Sequence, residues 1–161
     1  MSKKILILSF LLAITGFFCF DAKAQNRDSV SAKEVNGTFQ YKFKGKFKDF
    51  SNQIKILALG KGKLKIQFDL VYPYSMQDGE PMVNIGQSTG TADIEGDTAI
   101  FTADDEYGDE PCKITIIFTN PGEIKVTQDS SGSACGFGHN VSAEGTYKKI
   151  NSSKPTFDDT F

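Results

Sequence analysis

The chain has 161 residues, 18 Lys plus Arg against 20 Asp plus Glu, 14 Phe and no Trp, for a formal charge of −2. That length suits one domain with a sizeable core. The mildly acidic balance argues against a nucleic-acid surface, which needs a dominant positive field.

Residues 1–24 read as a targeting segment. Lys3 and Lys4 precede an apolar run from Ile5 to Phe20, and Ala22-Lys23-Ala24 is an A-x-A cleavage site. The expected mature chain starts at Gln25, is exported to the periplasm or fully secreted, and has no transmembrane segment. Residues 25–36 are polar and without periodicity, the pattern of a flexible lead-in.

The domain is expected over 37–150. From Gly37 onward Phe39, Tyr41, Phe43 and Phe47 alternate with Gln40, Lys42, Lys44, Lys46 and Lys48. Aromatics on one side and lysines on the other, at period two, predict a half-buried strand that bends at Gly45. The lysine row reads first as the solvated face of that strand, and second as a patch for anions or membrane. A second strand follows over 53–59, then a Gly60–Lys63 hairpin turn. Leu64, Ile66, Phe68, Leu70 and Tyr72 predict the inner face of a third strand, with pairing stopped at Pro73 by its missing donor. Residues 74–81 read as a loop.

Residues 83–94 are strand-like, and Gly86 and Gly90 inside them mark a bulge, a bend or a close backbone approach. Further strands are expected over 98–103, 112–119, 124–128 and 145–150. The hairpin turn at 120–123 sets Cys112 opposite roughly residue 131. Residues 151–161 form a polar tail in which Phe157 and Phe161 are the groups able to dock.

No helical period follows the targeting segment, so the fold class is all-β: eight short strands in one antiparallel meander. Gly37-Thr38-Phe39 and Gly145-Thr146-Tyr147 open the first and last strands alike, and pairing them would close a small barrel without a free edge. Such a meander resembles the calycin-type barrels and the small exported barrels that include bacterial lysozyme inhibitors. Gly37-Thr38-Phe39 is similar to the Gly-x-Trp opening of lipocalins. That resemblance implies binding or inhibition rather than catalysis.

Charge is uneven along the chain. Residues 33–65 hold nine lysines against Glu34 and Asp49, whereas 66–112 hold eleven acids and no Lys or Arg. Cys19 leaves with the targeting segment, so Cys112 and Cys135 are expected to pair in an oxidising compartment. His139 is the only histidine. A Cys135–His139 dyad needs a free thiolate, which the expected bridge removes, and a zinc site built on one histidine and a disulfide is short of ligands. Asp104, Asp105 and Asp109 in the acidic run 104–110 are oxygen ligands of the kind Ca²⁺ takes, without the order of an EF-hand loop. The same carboxylates could serve a hydrolase. Phe137, between two glycines, is either a lid on one barrel mouth or, with His139 and Asn140, an anchor for a partner.

The sequence therefore points to an exported, non-enzymatic protein that binds a protein or envelope component, as an inhibitor does, with no cofactor. The alternative is a carrier of a small apolar ligand inside the barrel.

Overall fold

The computed structural model describes residues 27–103 and 111–157. Eight strands follow in chain order: β1 (Gly37–Lys42), β2 (Ser51–Gly60), β3 (Lys63–Ser75), β4 (Pro81–Glu95), β5 (Thr98–Ala103), β6 (Cys112–Asn120), β7 (Glu123–Gln128) and β8 (Gly145–Asn151). Each pairs antiparallel with the next, and β8 pairs with β1, so the meander is one closed barrel.

Closure follows from period-two alternation. Phe39, Ile54, Ile56, Ile66, Phe68 and Phe101 point inward and are fully buried, as are Ile114, Ile116, Phe118, Ile124 and Tyr147. Rings meet across the interior: Phe39 on Phe118 at 6.3 Å and Phe68 on Phe101 at 5.1 Å. Tyr147 brings a polar tip inside, and its hydroxyl donates to the Ala143 carbonyl at 2.9 Å. Burial of the ring raises the phenol's pKa far above its usual value. The outward faces carry the charged side chains, with Leu59, Ile85 and Ile100 exposed among them. Lys55 pairs with Asp69 at 3.7 Å, and Lys63 pairs with Asp93 directly across from it. An apolar interior inside a charged exterior is the reverse of a lipid-embedded barrel. Among the described residues no helix is long and apolar enough to cross a membrane.

Three details depart from the sequence reading. The first strand stops at Lys42 and does not continue through a bend. Residues 43–50 leave the sheet, with a 3₁₀ turn at Gly45–Phe47, so Phe43 and Phe47 are half-buried rather than core. Pro73 does not end the third strand, because Pro73, Tyr74 and Ser75 pair with Val83, Met82 and Pro81. The reason is the side to which its nitrogen points. Val71, two residues earlier, donates its N–H to Asn52 Oδ1 on the β2 side. Pro73 points the same way, where no strand is paired, since β2–β3 pairing ends at Gln53 opposite Asp69. No ladder bond is lost, which is where a strand tolerates proline. The β3–β4 hairpin consequently projects past the rest of the barrel, and Tyr72, expected inside, is 40% exposed.

The third departure is residues 27–36, which carry defined structure in place of an aperiodic lead-in. A helix, α1 (Ala32–Val35), is capped by Ser31 and Glu34 reciprocally, and Val35 is buried. Four residues are too few to show a period in sequence. The Arg27 guanidinium bonds Glu34 at 2.6 Å and the Phe118 carbonyl, while its backbone N–H donates to Asp97 at 2.9 Å. From β8, Lys149 Nζ donates to the carbonyls of Lys33, Glu34 and Asn36 and lies 5.0 Å over the Phe39 ring. The ammonium satisfies carbonyls that a helix end leaves open. Burial lowers the Lys149 pKa, and Glu34 opposes that shift.

This closure is acid-sensitive in a defined direction. The Ser31 N–H, the Arg27 guanidinium and the Ser31 hydroxyl hold the Glu34 carboxyl at about 2, below its usual 4.5. Asp97 is lowered in the same sense, chiefly by the Arg27 N–H. A depressed carboxyl contributes stability that is present above about pH 4.5 and is lost as pH falls toward 2. The urea midpoint should therefore drop over that window, and Glu34→Gln should reduce the drop while lowering the neutral-pH value. An identical pH profile in Glu34→Gln would exclude this carboxylate as the source.

Candidate functional site

The segment between β7 and β8 folds over the end of the barrel from which the β3–β4 hairpin projects. A bulge between Ile117 and Asn120 shifts the β6–β7 register by one, so Ile114 faces Gln128. Continued by two residues, that register sets Cys112 opposite residue 130, one short of the position extrapolated from the turn. The Lys113 N–H accordingly donates to Ser130 Oγ at 3.1 Å. A 3₁₀ turn at Ser133–Cys135 then returns the chain to β6, where Cys135 is disulfide-bonded to Cys112 with their Cα atoms 4.7 Å apart. Both cysteines are buried, so the thiolate of a Cys135–His139 dyad does not exist. Gln128 braces the segment from beneath, donating to the Ser130 carbonyl and accepting from the Ala143 N–H.

Beyond Cys135 the segment docks on the edge of β4. Phe137 bridges Gly86, and the Gly138 N–H donates to the Ile85 carbonyl at 3.1 Å. Asn84 Nδ2 donates to the His139 carbonyl at 2.7 Å. Of the three readings of Gly86, a bulge, a bend or a close approach, the structure shows the close approach. A Cβ there would lie 2.7 Å from Val141 and 2.9 Å from Phe137. The β3–β4 register runs through Gly86 and Gly90 without a shift, so neither marks a bulge.

The predicted site residues separate. Phe137 is 5% exposed and packs edge-on against Phe68 at 6.0 Å. It plugs the barrel end and presents no ring to a partner, which corrects its reading as an anchor. His139 and Asn140 are exposed, and Asn140 turns the chain at φ 60°. Asp104, Asp105 and Asp109 lie outside the described residues. Among those described, no three His, Cys, Asp or Glu side chains gather as a metal site.

Sequence reasoning missed the surface beside His139. Seven large apolar side chains are exposed among the described residues, and Tyr72, Met76, Met82 and Ile85 all belong to the β3–β4 hairpin. Ile85, 61% exposed, shares its backbone with the Gly138 contact and so adjoins the segment carrying His139 and Asn140. A shallow groove of about 350 Å³ beside it is lined by Gln53, Asp69, Val71 and Gln87. The signal was present in the Tyr72-to-Met82 run, but reading Pro73 as a stop turned it into a loop. The opposite end of the barrel holds an open groove of about 890 Å³ lined by Arg27, Lys61, Asp93 and Glu95, which contains none of the predicted site residues. On the tail, Phe157 docks under Lys65 Nζ at 4.6 Å, while Phe161 lies outside the described residues.

Comparison with known protein families, curated proteins and solved structures yields no match to this chain.

Proposed function

We propose that this chain is an exported, non-enzymatic binding protein that engages a protein or an envelope component through its surface. The packed interior carries the proposal: the inward rings of Phe39, Phe68, Phe101, Phe118 and Tyr147 are all at most 1% exposed, with Phe137 seated at the end. Eight strands enclose a space that such side chains fill, which disfavours carriage of a small apolar ligand. The exposed apolar side chains of one hairpin, Tyr72 and Met82 on one face and Ile85 on the other, suit surface docking. Export is supported by the A-x-A segment at Ala22–Ala24, and the Cys112–Cys135 bridge is compatible with it. The likeness to calycin-type barrels is one of architecture and supports binding only by analogy. An acidic-loop hydrolase has the least support, because nothing in the sequence sets two of its carboxylates across a cleft.

Ile85→Glu tests the docking face. Its side chain is exposed, so the fold should tolerate the change, whereas a charge in place of the most exposed apolar side chain of the hairpin should weaken capture from a native envelope extract about tenfold or more. His139→Ala should have a smaller effect. Unchanged capture by Ile85→Glu at native thermal stability, or an apolar ligand found at one per chain by mass spectrometry, would defeat the proposal.

A further inference from the structure

Asn36-Gly37 is the only Asn-Gly step in the chain. Such a step is reactive wherever its backbone is free. Glycine has no Cβ to shield its nitrogen, so the Gly37 nitrogen can attack Asn36 Cγ. The N–Cγ bond forms, the Cγ–Nδ2 bond breaks, and Nδ2 leaves as ammonia with the Gly37 amide proton. Water then opens the resulting succinimide at either of its carbonyls. One opening leaves an aspartyl residue at position 36. The other leaves an isoaspartyl residue, whose main chain runs through the former side chain and is longer by an atom.

The folded protein holds the two reactants apart. Asn36 caps the end of α1 at φ −65° and ψ 132°. That extended conformation turns the Gly37 nitrogen away from the Asn36 side chain, whereas ring closure requires the two to eclipse. Asn36 Oδ1 accepts from the Ala58 N–H at 2.6 Å, which pins the side chain to β2. The Asn36 N–H donates to the Ala32 carbonyl at 2.8 Å, and the Asn36 carbonyl accepts from Lys149 Nζ at 2.9 Å. Gly37 faces Ile56 and lies so close to the Asn151 carbonyl that a Cβ would not fit. To bring its nitrogen onto Cγ, the Asn36 carbonyl would have to turn off Lys149 and Gly37 off Ile56, which opens β1 at the seam.

We propose that Asn36-Gly37 is a self-modifying site gated by the fold: the closed barrel keeps it inert, and a chain left unfolded deamidates there and loses the ability to close. The isoaspartyl product is the damaging one. Its longer main chain displaces Gly37 from Ile56 and from Asn151, where the structure leaves no slack, and its carboxylate is moved off the Ala58 N–H. The aspartyl product keeps an oxygen for that N–H and still folds. The site therefore limits how long an unfolded chain stays competent to close its seam. It acts independently of any partner.

Peptide mapping of aged mature protein tests it. One sample is kept native and one unfolded in guanidinium chloride, at the same mildly alkaline pH and temperature. The tryptic peptide 34–42, released by cleavage after Lys33 and Lys42, is followed by mass and by an isoaspartate assay. Deamidation should run about a hundredfold slower in the native sample, the factor that about 3 kcal/mol of local opening imposes. On dilution of the aged unfolded sample, the refolded fraction should be depleted of isoaspartate at position 36 and the unrecovered fraction enriched in it. Asn36→Asp, which has no ammonia to lose, should refold with a smaller loss after the same incubation. Equal deamidation rates in the two samples would show that the fold gives no protection. Equal isoaspartate in the refolded and unrecovered fractions would show that closure tolerates the change. Either result overturns the proposal.

Discussion

Gly37→Ala should open the barrel at its seam. Gly37 begins β1 at φ 144°, a region that L side chains rarely adopt, and a Cβ there would collide with the backbone carbonyl of Asn151 on β8. Neither obstacle is the far end of a flexible side chain that can swing away. The seam is also short: Thr38 faces Asn151, Phe39 faces Lys149 and Gln40 faces Lys148, with a register shift after Thr38. Lys149, whose ammonium holds α1 over the barrel end, lies on the same stretch of β8. Backbone strain together with loss of seam pairing should cost on the order of 3 kcal/mol. The urea midpoint reports that loss, and hydrogen exchange should show Phe39, Gln40 and residues 147–151 losing protection first. Wild-type stability in Gly37→Ala would show that the seam relaxes easily and that closure depends on other contacts.

Removal of the Cys112–Cys135 bridge is the second large effect expected. Cys112→Ser with Cys135→Ser frees a loop whose ends are 23 residues apart. In the chain-entropy model, closing such a loop is worth about 3 kcal/mol. The loss should begin locally. The segment from Cys135 to Asn140 retains the Gly138–Ile85 and Asn84–His139 hydrogen bonds and the Phe137 contact with Phe68. These tie it to β3 and β4 only, so exchange protection at Phe137 and Gly138 should fall before that of β1 or β2. The surface at Ile85 would loosen with it, and capture sensitive to Ile85→Glu should weaken in the double variant. Two reactive thiols in denatured, unreduced wild-type protein would remove the bridge from this account.

The amount of structure legible in the sequence depended on how local its cause was. Alternation is a period-two property of the chain itself, so Leu64, Ile66, Phe68 and Leu70 declared both a strand and its buried face before any partner was known. The same holds for Cys112, Ile114, Ile116 and Phe118. The matching Gly-Thr-aromatic openings at Gly37 and Gly145 announced the seam, because a chain of eight such strands must cover its edges. Pairing of the two remaining cysteines followed from their number and from the β6–β7 hairpin.

Features that depended on where a neighbour ended were not legible. Pro73 stays within β3 because β2 pairs no further than Gln53, leaving vacant the side to which its nitrogen points. Nothing in the tripeptide around Pro73 encodes that vacancy. Tyr72 obeys the inward alternation yet is exposed, because the hairpin has outrun the barrel that would bury it. Lys44, Lys46 and Lys48 keep the spacing of a strand face, but the sheet stops at Lys42 and leaves them on a loop. Whether Phe137 faces a partner or the core was decided by Gly86, fifty-one positions away, which leaves room for its Cβ. The sequence by itself determined the strands, their order, the seam and the bridge, since each follows from alternation or residue count. Tertiary structure alone decided which faces were left for a partner, because exposure depends on how far each neighbouring strand extends.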